Sequence, residues 1–158
     1  MTEPFDTSAG ISSKNLGLIQ EVPVCSSAFS LSTGTVITNE QFKQYPLIGL
    51  GEKTSSFTFY SDFFSSMGFS FSPDVEAATA DQILPMIKSD LGIGFVPTDF
   101  LKKENMKQLV ILKMRPSIPK RNICILKKKD TSLSIAASEL EKLLLKEHRV
   151  NKKEQVKR

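Results

Sequence analysis

The stretch Thr79-Ala-Asp-Gln-Ile-Leu-Pro-Met-Ile-Lys-Ser-Asp-Leu-Gly-Ile-Gly-Phe-Val-Pro97 decides the fold, because it predicts a helix, a tight turn and a buried strand in direct succession. Thr79 and Gln82 have the spacing of a capping box, which indicates the start of a helix. Apolar side chains then recur at helical spacing, at Ile83, Leu84, Ile87 and Leu91. Asp90 can adopt the left-handed conformation that ends a helix. Residues 93–96 are a short apolar run, which is typical of a strand covered on both faces.

The order helix, turn, Leu91-Gly-Ile-Gly94, apolar residues and proline resembles the effector-binding domain of LysR-type transcriptional regulators. The upstream segment Tyr45-Pro-Leu-Ile48 and the downstream order of strand, strand and helix add to the resemblance, which extends from about Met1 to about Val150. Two positions depart from the family. It usually has glycine where Asp90 stands, and Pro85 lies inside the predicted helix, where it removes a hydrogen bond and should kink the backbone.

The resemblance implies an α/β fold of the periplasmic-binding-protein type II, with Rossmann-like subdomains and a mostly parallel sheet. It assigns residues 1–4 to the first crossing strand, residues 5–96 to the second subdomain and residues 97–150 to the C-terminal part of the first subdomain. Residues 151–158 are predicted to be a disordered tail. On this interpretation the N-terminal part of the first subdomain is missing, and so is the family's winged helix-turn-helix.

The remaining pattern predicts individual elements. Residues 5–17 are rich in turn-forming side chains and predict a loop, and residues 18–25 predict a strand in which Pro23 suits an edge or a bulge. Further strands are predicted at 47–50, near Val75, at 108–114 and at 122–127, and further helices after Thr38, at 57–67, after Pro97 and at 133–149. The last helix is predicted to direct Ala136, Leu140, Leu143 and Leu144 inward.

Composition indicates a soluble single domain. The chain has 158 residues and a net charge of +4, but residues 1–98 carry four Lys or Arg against ten Asp or Glu, and residues 99–158 carry 17 against seven. The lysines are scattered without interleaved aromatic residues, so a solvated surface is favoured over nucleic-acid contact. No apolar run approaches the roughly 20 residues that span a membrane, and no signal peptide opens the chain. We therefore expect a cytoplasmic protein with no membrane partner, in which Cys25 and Cys124 are reduced core residues.

The sequence offers little catalytic chemistry. Its one histidine, His148, lies on a charged helix end without a Cys, Asp or Ser partner, which argues against His-based metal clusters and most triads. The segment Gly49-Leu-Gly-Glu-Lys-Thr54 fails the spacing of both phosphate-binding glycine motifs. We expect a binding protein, with no catalytic residues, no metal and no cofactor.

The resemblance also implies a site for a small-molecule effector in a cleft between the subdomains. The residues it places there are Thr2, Thr54, Ser55, Thr79, Ala80, Phe95 and Pro97. Hydroxyl groups and helix N-termini suit a small anionic or polar molecule. From the residues alone, Ser55 or Ser56 could equally be a simple helix cap, and Thr79 is as well explained by capping as by ligand contact.

The helix predicted at 57–67 carries more large apolar side chains than one sheet face needs. In the family, effector domains pair antiparallel through a helix at this place. We therefore predict a homodimer or homotetramer with Phe59, Phe63 and Met67 at the interface, although coverage within one chain is an alternative. DNA would be bound only through a winged helix-turn-helix absent from this sequence.

Two other functions suit the same architecture. One is the solute-binding protein of a transporter, which would need a secretion signal. The other is an enzyme such as a small-acid dehydratase, against which the lack of catalytic side chains argues. The effector, the target genes and the direction of regulation are not encoded in any pattern of the sequence.

Overall fold

The computed structural model describes the backbone of residues 10–155, and their side chains except those of Asn39 and residues 148–155. The chain divides into two compact units. The central unit is Gln20–Ile118, and the terminal unit comprises the residues on either side of it. The chain after Pro97 adds one more strand to the sheet of the central unit, and the subdomain boundaries 5–96 and 97–150 stay a prediction.

From β2 onward, the helices and strands follow one another in the predicted order. In chain order they are β1 (Ile11–Ile19), β2 (Glu21–Ser26), a short 3-10 helix (Ser27–Phe29), α1 (Asn39–Phe42), β3 (Leu47–Leu50), α2 (Ser55–Ser65), β4 (Val75–Ala77), α3 (Ala80–Lys88), β5 (Ile93–Pro97), α4 (Thr98–Leu101), β6 (Leu109–Ile111), β7 (Arg121–Lys128) and α5 (Ile135–Gln155).

The central unit is built on a five-stranded sheet with the strand order β4-β3-β5-β2-β6. Strand β3 pairs in parallel with β4 and with β5. Strand β2 pairs antiparallel with β5 and with β6. The α/β fold is therefore confirmed, but its sheet is mixed and not mostly parallel, because β2 runs against both of its neighbours.

Alternating strand residues feed two hydrophobic clusters, one on each face of this sheet. Leu47 and Phe95 belong to the cluster formed with α1 and α2, whereas the adjacent Ile48 and Val96 belong to the cluster formed with α3 and α4. The sheet is thus covered by helices on both faces, as expected for strands that read as continuous apolar runs.

The deciding stretch folds as predicted into α3, a turn and β5. Asp90 has φ +61°, which confirms the left-handed turn. Gly94 lets α3 approach the sheet closely, since a Cβ at this position would lie 2.6 Å from Ile83 Cγ2. Pro85 lies within α3, as predicted.

Pro23 lies in an interior strand, not at the edge or bulge that its missing N–H predicted. Its carbonyl accepts a hydrogen bond from Leu112 N at 2.9 Å, so its imino nitrogen faces the same side. The registered pairing of β2 with β6 begins only at Val24. The missing donor therefore falls where this ladder ends, which explains why the sheet tolerates a proline here.

The terminal unit contains an antiparallel ribbon of β1 and β7 and the helix α5. Strand β1 replaces much of the loop predicted at residues 5–17; residues 5–9 lie outside the described part of the chain. The pattern misled because Ser12, Ser13 and Asn15 are half-exposed or exposed polar residues of a two-stranded ribbon. Pairing with β7 imposes the strand, and its register shifts between Asn15 and Gly17.

Helix α5 differs from its prediction in two respects. Leu140 and Leu143, which were predicted to face inward, are 56% and 59% exposed. The helix also continues to Gln155, into the segment 151–158 for which a disordered tail is predicted. Its end is rich in Lys, Glu and Gln, which favour a helix, and no glycine or proline stops it. Among the described residues, no helix is long and apolar enough to cross a membrane.

Candidate functional site

Three parallel strands of the central unit end at one edge of its sheet, which we call the carboxyl edge. Strand β3 ends at Leu50, β4 at Ala77 and β5 at Pro97. The antiparallel strand β2 begins at this edge, where Glu21 pairs with Pro97. In α/β sheets, ligands bind beyond the carboxyl ends of the strands, so this edge is the candidate site.

Thr54 lies in the loop that leads from β3 into α2. Its hydroxyl accepts a hydrogen bond from Phe57 N at 3.1 Å and donates one to Gly51 O at 2.8 Å. Thr54 is therefore the N-cap of α2, and its hydroxyl is committed to the helix and the loop. Ser55 follows as the first residue of α2 and is exposed.

Glu76 of β4 places a carboxylate over this same loop. A Cβ added to Gly51 would meet Glu76 Oε1, which is the end of an exposed and flexible side chain that can move aside. Register explains the approach, since Gly49 of β3 pairs with Glu76. Glu76 was not predicted to lie near the site; the two glycines that flank Leu50 were the available signal of a close approach.

Thr79 begins α3 but does not cap it through its side chain. The predicted capping box does not form, because Gln82 Oε1 accepts a hydrogen bond from Ala78 N at 2.9 Å and not from the N–H of the cap residue Thr79. Thr79 is exposed, as is Ala80, the first residue of α3. The Thr79 hydroxyl thus remains available beside the unpaired N–H groups of a helix start.

Phe95 differs most from its predicted place in the site. Its side chain is 3% exposed and stacks on Tyr60 with ring centroids 4.6 Å apart. It also contacts the rings of Phe42, Phe64 and Phe71. The alternation of β5 directs Phe95 into the cluster under α2, so its side chain does not line the carboxyl edge. Pro97 lies at the edge and is buried.

The other end of the carboxyl edge contains a cavity of about 260 Å³. All the residues that line it belong to the central unit. They lie at the start of β2 or in the segment that follows β6: Gln20, Glu21, Val22, Pro23, Leu112, Lys113, Met114, Arg115, Ser117 and Ile118. The sequence analysis assigned no role to these residues, because only long-range pairing brings the two segments together.

Most of the large apolar side chains of helix α2 are buried or half-buried against the core cluster of the central unit. Phe63 is 8% exposed and belongs to the core cluster, so its side chain does not face outward as its predicted interface role requires. Phe59 and Met67 are half-buried and pack against the same cluster. The additional rings supplied by Phe69 and Phe71 explain how one helix buries so many aromatic side chains.

Other predicted features fall outside what this site shows. Thr2 and the crossing strand at 1–4 lie outside the described residues. Within residues 10–155, no group of three or more metal-ligating side chains comes together among those whose placement is described. Both cysteines are free thiols, as expected; Cys25 is buried and Cys124 is half-buried.

Solved structures share this fold at low sequence identity. The regulatory domain of Synechocystis PCC6803 CcmR in complex with 2-PG has a TM-score of 0.71 at 15% identity, over 92% of this chain and 70% of that one. The effector-binding domain of QuiR in complex with shikimate has a TM-score of 0.70 at 13% identity, over 94% and 69%. A Corynebacterium glutamicum OxyR mutant has a TM-score of 0.68 at 16% identity, over 96% and 47%, so this chain spans about half its length.

Comparison with curated protein sequences gave no significant match. A family model, by contrast, matches nearly the whole chain. The LysR substrate binding domain model aligns with residues 1–149, which include the deciding stretch, the whole central unit and the carboxyl edge. This chain therefore belongs to the LysR substrate-binding domain family.

Proposed function

We propose that this chain is the effector-sensing part of a transcriptional regulator and that a small polar or anionic molecule binds at the carboxyl edge of the central unit. The observation that carries the proposal is the exposed Thr79 hydroxyl, which makes no capping bond at the start of α3. A helix start offers N–H donors to an anion, and an unused hydroxyl can donate or accept beside them. Family membership supports the same role, as do neighbours whose structures hold 2-PG and shikimate.

The predicted site residues contribute differently in this proposal. Thr79 acts through its hydroxyl and Ala80 through its backbone N–H at the first turn of α3. Ser55 offers an exposed hydroxyl at the start of α2. Thr54 acts by shaping the loop, since both of its hydroxyl bonds are internal. Binding at this site shifts the equilibrium between two conformations of the regulator. The size of the shift is set by the difference between the affinities of the effector for the two conformations.

Substitutions at Thr79 test this site. We expect Thr79→Val to weaken binding about two- to tenfold, which corresponds to one hydrogen bond, and Thr79→Ser to retain it. The probes are 2-PG and shikimate at millimolar concentrations, followed by ¹⁵N-resolved shifts of the amides of residues 79–82. Equal affinity of the Val and Ser variants for a probe that shifts these amides would remove Thr79 from the site. The absence of shifts with either probe would count against an anionic ligand here.

The proposal assigns regulation and no catalytic step to this chain, and it places the regulator in the cytoplasm. DNA recognition belongs to a winged helix-turn-helix outside the described residues. The described residues include no helix-turn-helix pair that would place a recognition helix in the major groove. Sequence-specific protection of DNA by this 158-residue chain alone, at physiological salt, would contradict this division of roles.

We also propose that regulators of this kind pair through the outer side of α2, with Phe59 and Met67 at the contact. Both side chains are only half-buried in the core cluster of the central unit. Phe59→Glu should therefore lower the mass measured by light scattering of the full-length regulator. Phe100→Glu is the matched control, because Phe100 is 46% exposed on α4. Loss of mass in the Phe100 variant alone would move the interface to α4.

A further inference from the structure

The cavity at the far end of the carboxyl edge lies between two segments that are tied together at both ends. At one end Leu112 N donates a hydrogen bond to Pro23 O at 2.9 Å. At the other end Gln20 Nε2 donates one to Ile118 O, also at 2.9 Å. Between these ties the segments separate, and the space of about 260 Å³ remains.

The separation has a visible cause in the backbone bonding of Lys113. Its N–H donates to Thr35 O at 2.8 Å, and its carbonyl accepts from Ile37 N at 2.9 Å. Lys113 also forms a parallel bridge with Val36. The backbone of Lys113 is therefore bonded to residues 35–37 and not to the start of β2, so the cavity is built into the hydrogen-bond pattern.

The lining combines an apolar wall with a cationic rim. The apolar side chains are Val22, Pro23, Leu112, Met114 and Ile118. Lys113 and Arg115 are exposed and alternate with the buried Leu112 and Met114 along an extended segment.

Neither Lys113 nor Arg115 makes an ion pair or a side-chain hydrogen bond to another described residue. Glu21 contributes one carboxylate to the lining. With Lys113 and Arg115 as cations and Glu21 as the anion, the lining has a formal net charge of +1. Gln20 and Ser117 add groups that can form hydrogen bonds.

We propose that this cavity is a second ligand site, which binds a small amphipathic carboxylate. The apolar part of the ligand lies against the apolar lining, and its carboxylate lies towards the exposed Lys113 and Arg115. The volume is slightly below the roughly 300–1,000 Å³ of ordinary ligand sites, so the ligand is small. This inference goes beyond the proposed function, because the cavity is lined by residues other than those of the Thr79 site.

The test is a titration of the ¹⁵N-labelled 158-residue chain with hexanoate, and with hexanamide as the neutral analogue. We expect saturable shifts at the amides of Val22, Leu112 and Ile118, and weaker binding of hexanamide. Shifts confined to residues 79–82 would overturn the cavity proposal while supporting the site at Thr79. Equal binding of both probes, or no saturable shift, would also overturn it.

Matched charge variants identify the carboxylate partner. Lys113→Gln and Arg115→Gln should each weaken hexanoate binding about two- to fivefold, as expected for an exposed ion pair. Lys107→Gln, an exposed lysine of the same unit that does not line the cavity, should leave affinity unchanged. A similar loss in all three variants would show non-specific charge attraction and would contradict the site. All three positions are exposed, so folding should be preserved.

Discussion

Thr54 and Thr79 form a natural pair for separating structural from ligand-binding threonines. Each is the N-cap of a helix in the central unit, and each has an extended backbone, with φ −99° and ψ 148° at Thr54 and φ −141° and ψ 154° at Thr79. Only the Thr54 hydroxyl makes hydrogen bonds to its helix and loop. Replacement by valine keeps the shape of the side chain and removes the hydroxyl. The two variants therefore compare the loss of a hydrogen-bonded hydroxyl at Thr54 with the loss of an unbonded one at Thr79.

The structure sets the expected magnitudes. Loss of a side-chain N-cap costs typically about 1 kcal/mol, within a range of about 0.5–2 kcal/mol. Loss of the bond that Thr54 donates to Gly51 O adds about 0.5–1.5 kcal/mol. We therefore expect Thr54→Val to lower the free energy of unfolding by about 1.5–2.5 kcal/mol. Thr79→Val should change it by no more than about 0.5 kcal/mol, the usual range for an exposed position without such bonds.

Urea unfolding followed by tyrosine fluorescence measures this difference selectively. The chain has no tryptophan, and its two tyrosines, Tyr45 and Tyr60, both belong to the central unit that contains Thr54 and Thr79. The midpoint should fall in the Thr54 variant at unchanged slope, and it should stay near the parent value in the Thr79 variant. Equal losses, or a larger loss at Thr79, would refute the assignment of the unused hydroxyl.

Two further predictions concern titratable groups. Lys14 Nζ and Lys127 Nζ lie 2.6 and 3.0 Å from the carboxylate of Glu141, and Lys14 first and then Lys127 hold its pKa below the ordinary value. The stabilisation from these ion pairs is therefore fully present at a pH above the ordinary pKa, and it disappears as the pH falls through the lowered pKa. Glu141→Gln should therefore unfold more easily than the parent at pH 7 and equally in acid, as followed by helix circular dichroism; a constant difference would contradict this. Burial raises the pKa of the Cys25 thiol to about 11, so iodoacetamide at pH 8 should modify Cys124 first, as read by mass spectrometry; faster labelling of Cys25 would contradict it.

Local signals predicted those parts of the fold that local interactions build. The helix, turn and strand at 79–97 follow from periodicity, a turn residue and an apolar run, all within one short stretch. Strand β1 was missed because its sequence is polar and its structure depends on β7, which lies more than 100 residues away along the chain. The mixed sheet was missed for the same reason, since no local pattern states which way β2 runs.

The candidate site, like the fold, could be predicted from local sequence only in part. Thr79 could be identified from its place before a helix, whereas the pattern alone indicated Ser55 or Ser56 as the cap of α2 and the structure has Thr54 there. Neither pattern shows which threonine hydroxyl makes hydrogen bonds within the protein. That depends on the position of Gly51 O, which accepts a bond from Thr54, and on the bond that Gln82 accepts from Ala78 N. A fully buried strand does not reveal which residue faces which side of the sheet, so the burial of Phe95 in the core could not be predicted. The cavity required two segments about 90 residues apart to be paired correctly.

The charge asymmetry of the sequence acquires a meaning from this topology. The acidic and basic parts of the chain do not form separate surfaces, because β6, from the basic part, pairs with β2, from the acidic part. At the carboxyl edge this arrangement leaves Glu76 and Asp81 near the starts of α2 and α3, and Lys113 and Arg115 at the cavity. Side-chain charge therefore favours an anionic ligand more at the second location than at the first. A ligand at Thr79 must be recognised mainly by hydroxyl and N–H groups, whereas charge itself can select a ligand in the cavity.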